Sequence, residues 1–171
     1  MIAPDQHLVF VGLMAVGKTT VARAAAERLN RPLFDSDMMI EQRTGRTVRE
    51  IFATDGESAF RALETDMLST ALASEEPAVI AAAGGVVLSA ANRAALKHDK
   101  LCVVWLCADP ATLMERIAVA DEGHRPLLDD DPSGTLQQMI REREALYREV
   151  ADVIVVVDEL SVDEVVDAVL R

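Results

Sequence analysis

Residues 9 to 20, VFVGLMAVGKTT, place a run of β-formers before Gly12, then Gly17, Lys18 and Thr19, then a chain of good helix formers. These residues satisfy G-x-x-x-x-G-K-[ST], in the strand-before, helix-after context that the pattern requires. No other stretch constrains the fold as much, because the chemistry of the pattern needs one backbone path. Successive N–H groups curl into a nest, and the helix N-terminus adds positive potential. The Lys18 ammonium reaches the β/γ-phosphates and the Thr19 hydroxyl is offered to Mg²⁺. A nucleoside triphosphate is therefore expected on Gly12, Ala15, Val16, Gly17, Lys18, Thr19 and Thr20. Ala15 fits the middle of such a loop if its φ is negative, since only the outer glycines are set by the pattern.

Apolar runs recur at 7–12, 31–37, 77–84, 100–108 and 151–158, with helix-like stretches near 18–29, 57–73, 89–98, 109–119, 133–148 and 161–170. Asp109-Pro110, Ser133 and Ser161 read as caps or first-turn residues. Nearly continuous Val/Ile/Leu runs imply strands covered on both faces, and their alternation with helices implies βαβ units around a parallel sheet. The class is α/β. No repeat, linker or boundary divides the 171 residues, so one domain is expected over 1–171. The polar stretch 120–134 is the one long loop candidate, of a length that often serves as a lid.

With a formal charge of −12 the chain is a poor candidate for nucleic-acid binding. It must concentrate its cations wherever it handles anions, and only Lys18, Lys97 and Lys100 among seventeen cations are lysines. Arginine, whose planar fork matches carboxylate and phosphate, supplies the rest. No run is long and apolar enough to span a bilayer, and the N-terminal residues lack a basic n-region and long h-region. A cytoplasmic location and no membrane partner are expected. Cys102 and Cys107 lie too far apart along one strand to bridge each other and read as structural thiols. His7, His98 and His124 form no metal-ligand spacing.

Four further stretches carry candidate chemistry. Asp35 and Asp37 in FDSD end the second apolar run and project to the same side of a strand. One could reach Mg²⁺ through water while the other orients an acceptor hydroxyl and takes its proton; both could equally be helix caps. In DGESAFRALE, Glu57, Phe60, Arg61 and Glu64 share one helical face. That mixture suits an arginine held by carboxylates beside an aromatic wall and facing an anion. Gly84-Gly85 follows the third run, where glycines permit close backbone approach or a simple turn. Arg125 in HRPLL and Arg143 in REREALYREV are candidates for closing over phosphate and substrate, whereas Arg141, Arg143 and Arg148 could also be solvated surface.

These elements in this order resemble the shikimate kinase family over nearly the whole chain. The phosphate loop is generic, whereas FDSDMMIEQRTGRTVREIF, DGESAFRALE, VIAAAGGVVL, HRPLL and REREALYREVAD together are specific. The resemblance implies a three-layer sandwich of P-loop NTPase type, with a five-stranded parallel sheet, a lid at about 120–132 and a substrate-binding region at about 35–64. It implies transfer of the ATP γ-phosphate to the 3-hydroxyl of shikimate by a monomer. Lys18, Asp37 and Arg125 would be catalytic, and Arg125 would also approach the nucleotide phosphate. Thr19 and Asp35 would serve Mg²⁺; Asp37, Arg61, Gly84, Gly85 and Arg143 would bind shikimate. Val48, Phe52, Phe60, Pro126 and Leu127 match the family's apolar pocket residues. Adenine is expected near Glu159 to Val162. The chain departs from the family at Ala15 and Ala83, where glycine is usual, and in its acidic lid. The alternatives are a P-loop kinase for another small hydroxy acid and a nucleotide-binding pseudokinase. Arg61 and Arg143 argue against a neutral acceptor.

Overall fold

The computed structural model describes residues 2–119 and 131–171. Five parallel strands run in the order β2-β3-β1-β4-β5, where β1 is His7–Val11, β2 Leu33–Asp35, β3 Val79–Ala81, β4 Leu101–Cys107 and β5 Val153–Val156. The central strand β1 pairs on both sides, Phe10 opposite Ala81 and Val11 opposite Trp105. Leu8, Val9, Phe10 and Val11 are fully buried, as a central strand with both faces covered requires. The outermost strand β5 is the exception to continuous burial, with Ile154 and Val156 exposed at the sheet edge.

The helices are α1 (Lys18–Leu29), α2 (Ser36–Thr44), α3 (Val48–Leu72), α4 (Ala90–Leu96), α5 (Pro110–Val119), α6 (Pro132–Val150) and α7 (Val162–Leu170). Most start on local chemistry that the sequence carries. Thr47 and Ser161 form capping boxes with Glu50 and Glu164, and Asp131 caps α6 with Pro132 in its first turn. Cys102 and Cys107 are free, partly buried thiols on β4. His7 is a buried acceptor for the Ala78 N–H, and burial with the nearby Arg31 and Lys100 charges lowers its pKa.

Two expectations about local structure are corrected. The second strand stops at Asp35, and Asp37 lies in the first turn of α2 rather than on the strand. Asp35 ends β2 by capping that helix, accepting the Asp37 and Met38 amides. Helical structure also begins well before residue 57. The helix α3 starts at Val48 and is kinked at Gly56, whose φ of 81° and ψ of 174° let two helical segments meet at an angle. The pair α2–α3 carries its own small core of Ile40, Val48, Ile51, Phe60 and Met67, separate from the main core under the sheet. No helix of the described residues is long and apolar enough to cross a membrane.

Candidate active site

The carboxyl ends of the parallel strands converge on one cleft of about 660 Å³. In an open parallel sheet, ligands bind in the crevice at these ends, where consecutive connections leave the sheet in opposite directions. Here β1 leads outward to β2, past β3, and β3 leads across to β4. The loop after β1 supplies residues 14 to 20, β2 supplies Asp35, and the segment after β3 supplies Ala82 to Gly85.

The phosphate loop is held from within. Lys18 Nζ donates to the Gly12 and Leu13 carbonyls, at 2.9 Å each. Gly12 has φ 144°, and a Cβ there would strike the Leu106 carbonyl of β4, so only glycine lets the loop leave the sheet at that point. Ala15 overturns the expectation of a negative φ: its φ is 63°, in the left-handed region. Ala83 is not among the positive-φ residues, so its methyl meets no such strain and Gly84 keeps ordinary surroundings.

Thr19 Oγ1 donates to Asp35 Oδ2 at 2.6 Å while Asp35 Oδ1 caps α2. A hydroxyl and a carboxylate oxygen in contact beside the phosphate loop are hard oxygen donors of the kind that suits Mg²⁺. No cluster of three or more His, Cys, Asp or Glu suited to a metal occurs among the described residues.

Across the cleft, Asp37 is accessible to cleft water yet walled by protein. That enclosure raises its carboxyl to about 6, with Lys18 opposing and Asp35, Glu64 and Glu41 assisting.

Arg61 and Glu64 meet as the helical spacing requires. Arg61 Nη1 donates to Glu64 Oε2 at 2.7 Å, and Arg61 Nη2 to Glu57 Oε1 at 2.9 Å. Phe60 lies under the Arg61 guanidinium, 5.7 Å from ring centroid to Cζ, and packs on Phe52. Glu64 is 2% exposed; burial raises its pKa although Arg61 pulls it down. Burial also works against the Arg61 charge, but Glu64 and Glu57 outweigh it and raise the guanidinium's pKa. The Gly85 N–H points at Glu64 Oε1, 3.4 Å away, and a Cβ on Gly85 would collide with Arg61 Nη1. A side chain at 85 would have to displace the Arg61 guanidinium and the Glu64 carboxylate from where they sit.

Arg143 is 5% exposed, while its helix neighbours Arg141 and Arg148 are exposed. Its Nη1 lies 3.5 Å from the Gly84 carbonyl, and its Nε finds no hydrogen-bond partner among the described residues. The guanidinium lies beside the Tyr147 hydroxyl and the Glu64 carboxylate, and with Nε unpartnered it keeps a buried donor that an anion can use. Tyr147, one helical turn on, donates to the same Gly84 carbonyl at 2.6 Å and stacks on Trp105. Burial holds its phenol above the ordinary range, with Arg143 pulling the other way.

The structure thus brings Lys18, Thr19, Asp35, Asp37, Arg61, Gly84, Gly85 and Arg143 to one cleft, together with Val48, Phe52 and Phe60. Arg125, Pro126 and Leu127 lie outside the described residues. At the far end the cleft reaches Val157, Leu160 and Val162, beside the expected adenine region, and Arg116. Arg116 and Tyr147 were not apparent as functional residues in the sequence. Their contacts, Arg116 to the Val16 and Val157 carbonyls and Tyr147 to the Gly84 carbonyl, arise from packing between elements remote in sequence.

A phosphate loop heading a parallel sheet, with carboxylates and arginines gathered beyond it, defines a P-loop kinase. The shikimate kinase family model matches residues 14–171. A shikimate kinase of Burkholderia thailandensis is 44% identical over 98% of this chain and 89% of its own. One of Symbiobacterium thermophilum is 41% identical over 96% of this chain and 94% of its own. Among solved structures, a shikimate kinase from Acinetobacter baumannii in complex with shikimate superposes with a TM-score of 0.90. It is 35% identical over 96% of this chain and 90% of that one. A gluconokinase from Sinorhizobium meliloti, at 20% identity and a TM-score of 0.58, shares the fold alone. The chain belongs to the shikimate kinase family and is an enzyme of that family.

Proposed function

We propose that the protein transfers the γ-phosphate of ATP to the 3-hydroxyl of shikimate, as a monomeric single-domain enzyme of the cytoplasm. The observation that carries this reading is the pair of arginines aimed at one end of the cleft. Arg143 is buried with Nε unpartnered, and Arg61 is braced by Glu64 and Glu57. Two guanidiniums prepared in this way suit a carboxylate and leave a neutral polyol with unpaired charges to displace.

The reaction then follows from position. Lys18 and the loop amides of residues 15 to 20 hold the triphosphate, whose β/γ charge they neutralise. Thr19 and Asp35 hold Mg²⁺, which supplies further neutralisation of phosphate charge. Arg61 and Arg143 bind the shikimate carboxylate, with the Gly84 and Gly85 backbone beside it. Asp37 orients the acceptor hydroxyl. The hydroxyl oxygen forms its bond to the γ-phosphorus as the bond to the ADP oxygen breaks, and the hydroxyl proton passes to the Asp37 carboxylate. A carboxyl pKa of about 6 leaves that group ionised at neutral pH yet close enough in basicity to take a proton. Arg125, which lies outside the described residues, is assigned the neutralising of charge on the transferring phosphate.

A coupled ADP-release assay with Mg·ATP, comparing shikimate, quinate and a neutral polyol, tests the proposal. Turnover stimulated by shikimate and not by the polyol is expected. ADP release that responds to none of the three would refute it.

A further inference from the structure

Ala15 is an L-residue held where its own sterics oppose it. Left-handed backbone is unfavourable for an alanine, whose Cβ crowds its own carbonyl there, so something must hold the loop in place. Gly17 also has positive φ, 99°, but has no Cβ to suffer for it. The groups that grip the loop next to Ala15 belong to Val16. The Val16 side chain is 2% exposed and packs against Gly12. Its carbonyl accepts from Arg116 Nη1 at 3.2 Å, across a sequence separation of one hundred residues. The other arm of the same guanidinium, Nη2, donates to the Val157 carbonyl just beyond β5, also at 3.2 Å. Arg116 thus staples the middle of the phosphate loop to the segment that leaves the sheet beside Leu160.

We propose that Arg116 is a positioning residue for the phosphate loop: its two-carbonyl staple holds Val16, and through it Ala15, in the left-handed path that turns the loop amides toward a bound polyphosphate. The inference rests on the reading that this loop receives the nucleotide phosphates. Alternating right- and left-handed residues are what create a concave nest of N–H donors, so the conformation at Ala15 is part of the anion site. A glycine at position 15 visits that conformation freely and would need no staple. The departure from glycine and the arginine fork therefore depend on each other. A double-mutant cycle is the direct measure of such dependence.

The experiment is calorimetric titration of inorganic tripolyphosphate with Mg²⁺, a probe with no base or ribose, into the wild type, A15G, R116M, R116K and the A15G/R116M double variant. The expected result is a weakening of tripolyphosphate binding by about tenfold in R116M, the scale of one lost charge-assisted hydrogen bond. R116K, which keeps the charge but cannot span both carbonyls, should weaken it similarly. In the A15G background the loss from R116M should shrink to about twofold or less. A15G alone should bind the probe at least as tightly as the wild type.

Equal losses with and without A15G would overturn the proposal, since Arg116 would then act as a distant charge. So would unchanged tripolyphosphate binding accompanied by weaker ADP binding, which would assign Arg116 to the nucleoside. Failure of the wild type to bind either tripolyphosphate or ADP would instead remove the phosphate-loop reading, and the staple's purpose with it. Thermal unfolding of each variant verifies that it folds; should R116M not fold, R116K against A15G/R116K completes the cycle.

Discussion

Replacing Arg143 by methionine should make the ligand-free protein more stable while crippling its use of shikimate. The guanidinium is 5% exposed, its Nε has no partner among the described residues, and its Nη1 reaches the Gly84 carbonyl only at 3.5 Å. An unsatisfied buried donor costs about 1–3 kcal/mol, and more when charged. Against this, Arg143 lies near enough to Glu64 and Tyr147 to favour the Glu64 carboxylate, and part of that attraction is lost. Methionine retains most of the apolar stem and adapts to irregular space. The net is a gain of about 1 kcal/mol, or a melting temperature higher by roughly 2–4 °C for a domain of this size. Shikimate then loses one arm of its carboxylate clamp. Truncating one partner of a buried charged pair costs about 2–5 kcal/mol, so KM for shikimate should rise on the order of a hundredfold, with KM for ATP little changed. Thermal unfolding without ligand and the coupled ADP-release assay read the two effects separately. A melting temperature lowered by several degrees would refute the reasoning, because it would mean that the guanidinium is already satisfied before any substrate arrives.

Asp37→Asn should abolish transfer while Mg·ADP still binds, as judged by calorimetry beside the ADP-release assay; comparable turnover would remove the role given to Asp37. The raised carboxyl also fixes a sign. A folded pKa of about 6, above the ordinary 3.8, means that the folded state favours the protonated form, so this contribution to stability is complete below about pH 4 and lost as pH rises through 6. Asp37→Asn should accordingly raise the melting temperature more at pH 7.5 than at pH 4.5, and wild-type kcat/KM should fall as pH drops below about 6. Gly85→Ala must push a methyl into Arg61 and Glu64, so shikimate KM should rise by about tenfold or more while ATP binding holds; an unchanged KM would show that Arg61 moves freely. Chelation with excess EDTA should stop turnover, and added Mg²⁺ should restore it without any change in the far-ultraviolet circular dichroism that reports the fold, because no structural metal cluster is built into the described residues.

The alternation of apolar runs with helix formers is enough to read α/β, a parallel sheet and the position of all five strands: the inner strands are apolar because both their faces are buried, and β5 keeps an apolar run although Ile154 and Val156 are exposed at the sheet edge. The phosphate loop was equally legible, since G-x-x-x-x-G-K-T encodes its own backbone path. Helical spacing also placed Glu57, Phe60, Arg61 and Glu64 on one face, where the structure finds them in contact. Such features are local, and period and composition determine them.

What needed the tertiary structure depends on neighbours remote in sequence. Arg141, Arg143 and Arg148 look alike on one helix, and only the packing of α6 against the β3 end buries Arg143 and leaves the others in water. The sequence leaves Asp35 and Asp37 open between a strand end and a helix start; Asp35 turning its side chain back to cap α2 decides it and puts Asp37 in the helix. The left-handed Ala15 is held against its own preference by contacts that include a guanidinium from α5. Gly85 is glycine because Arg61, brought from another element, fills the space a side chain would take. Sequence determines which backbone paths are cheap, whereas the fold decides which expensive ones are held and which charges are left waiting for a ligand.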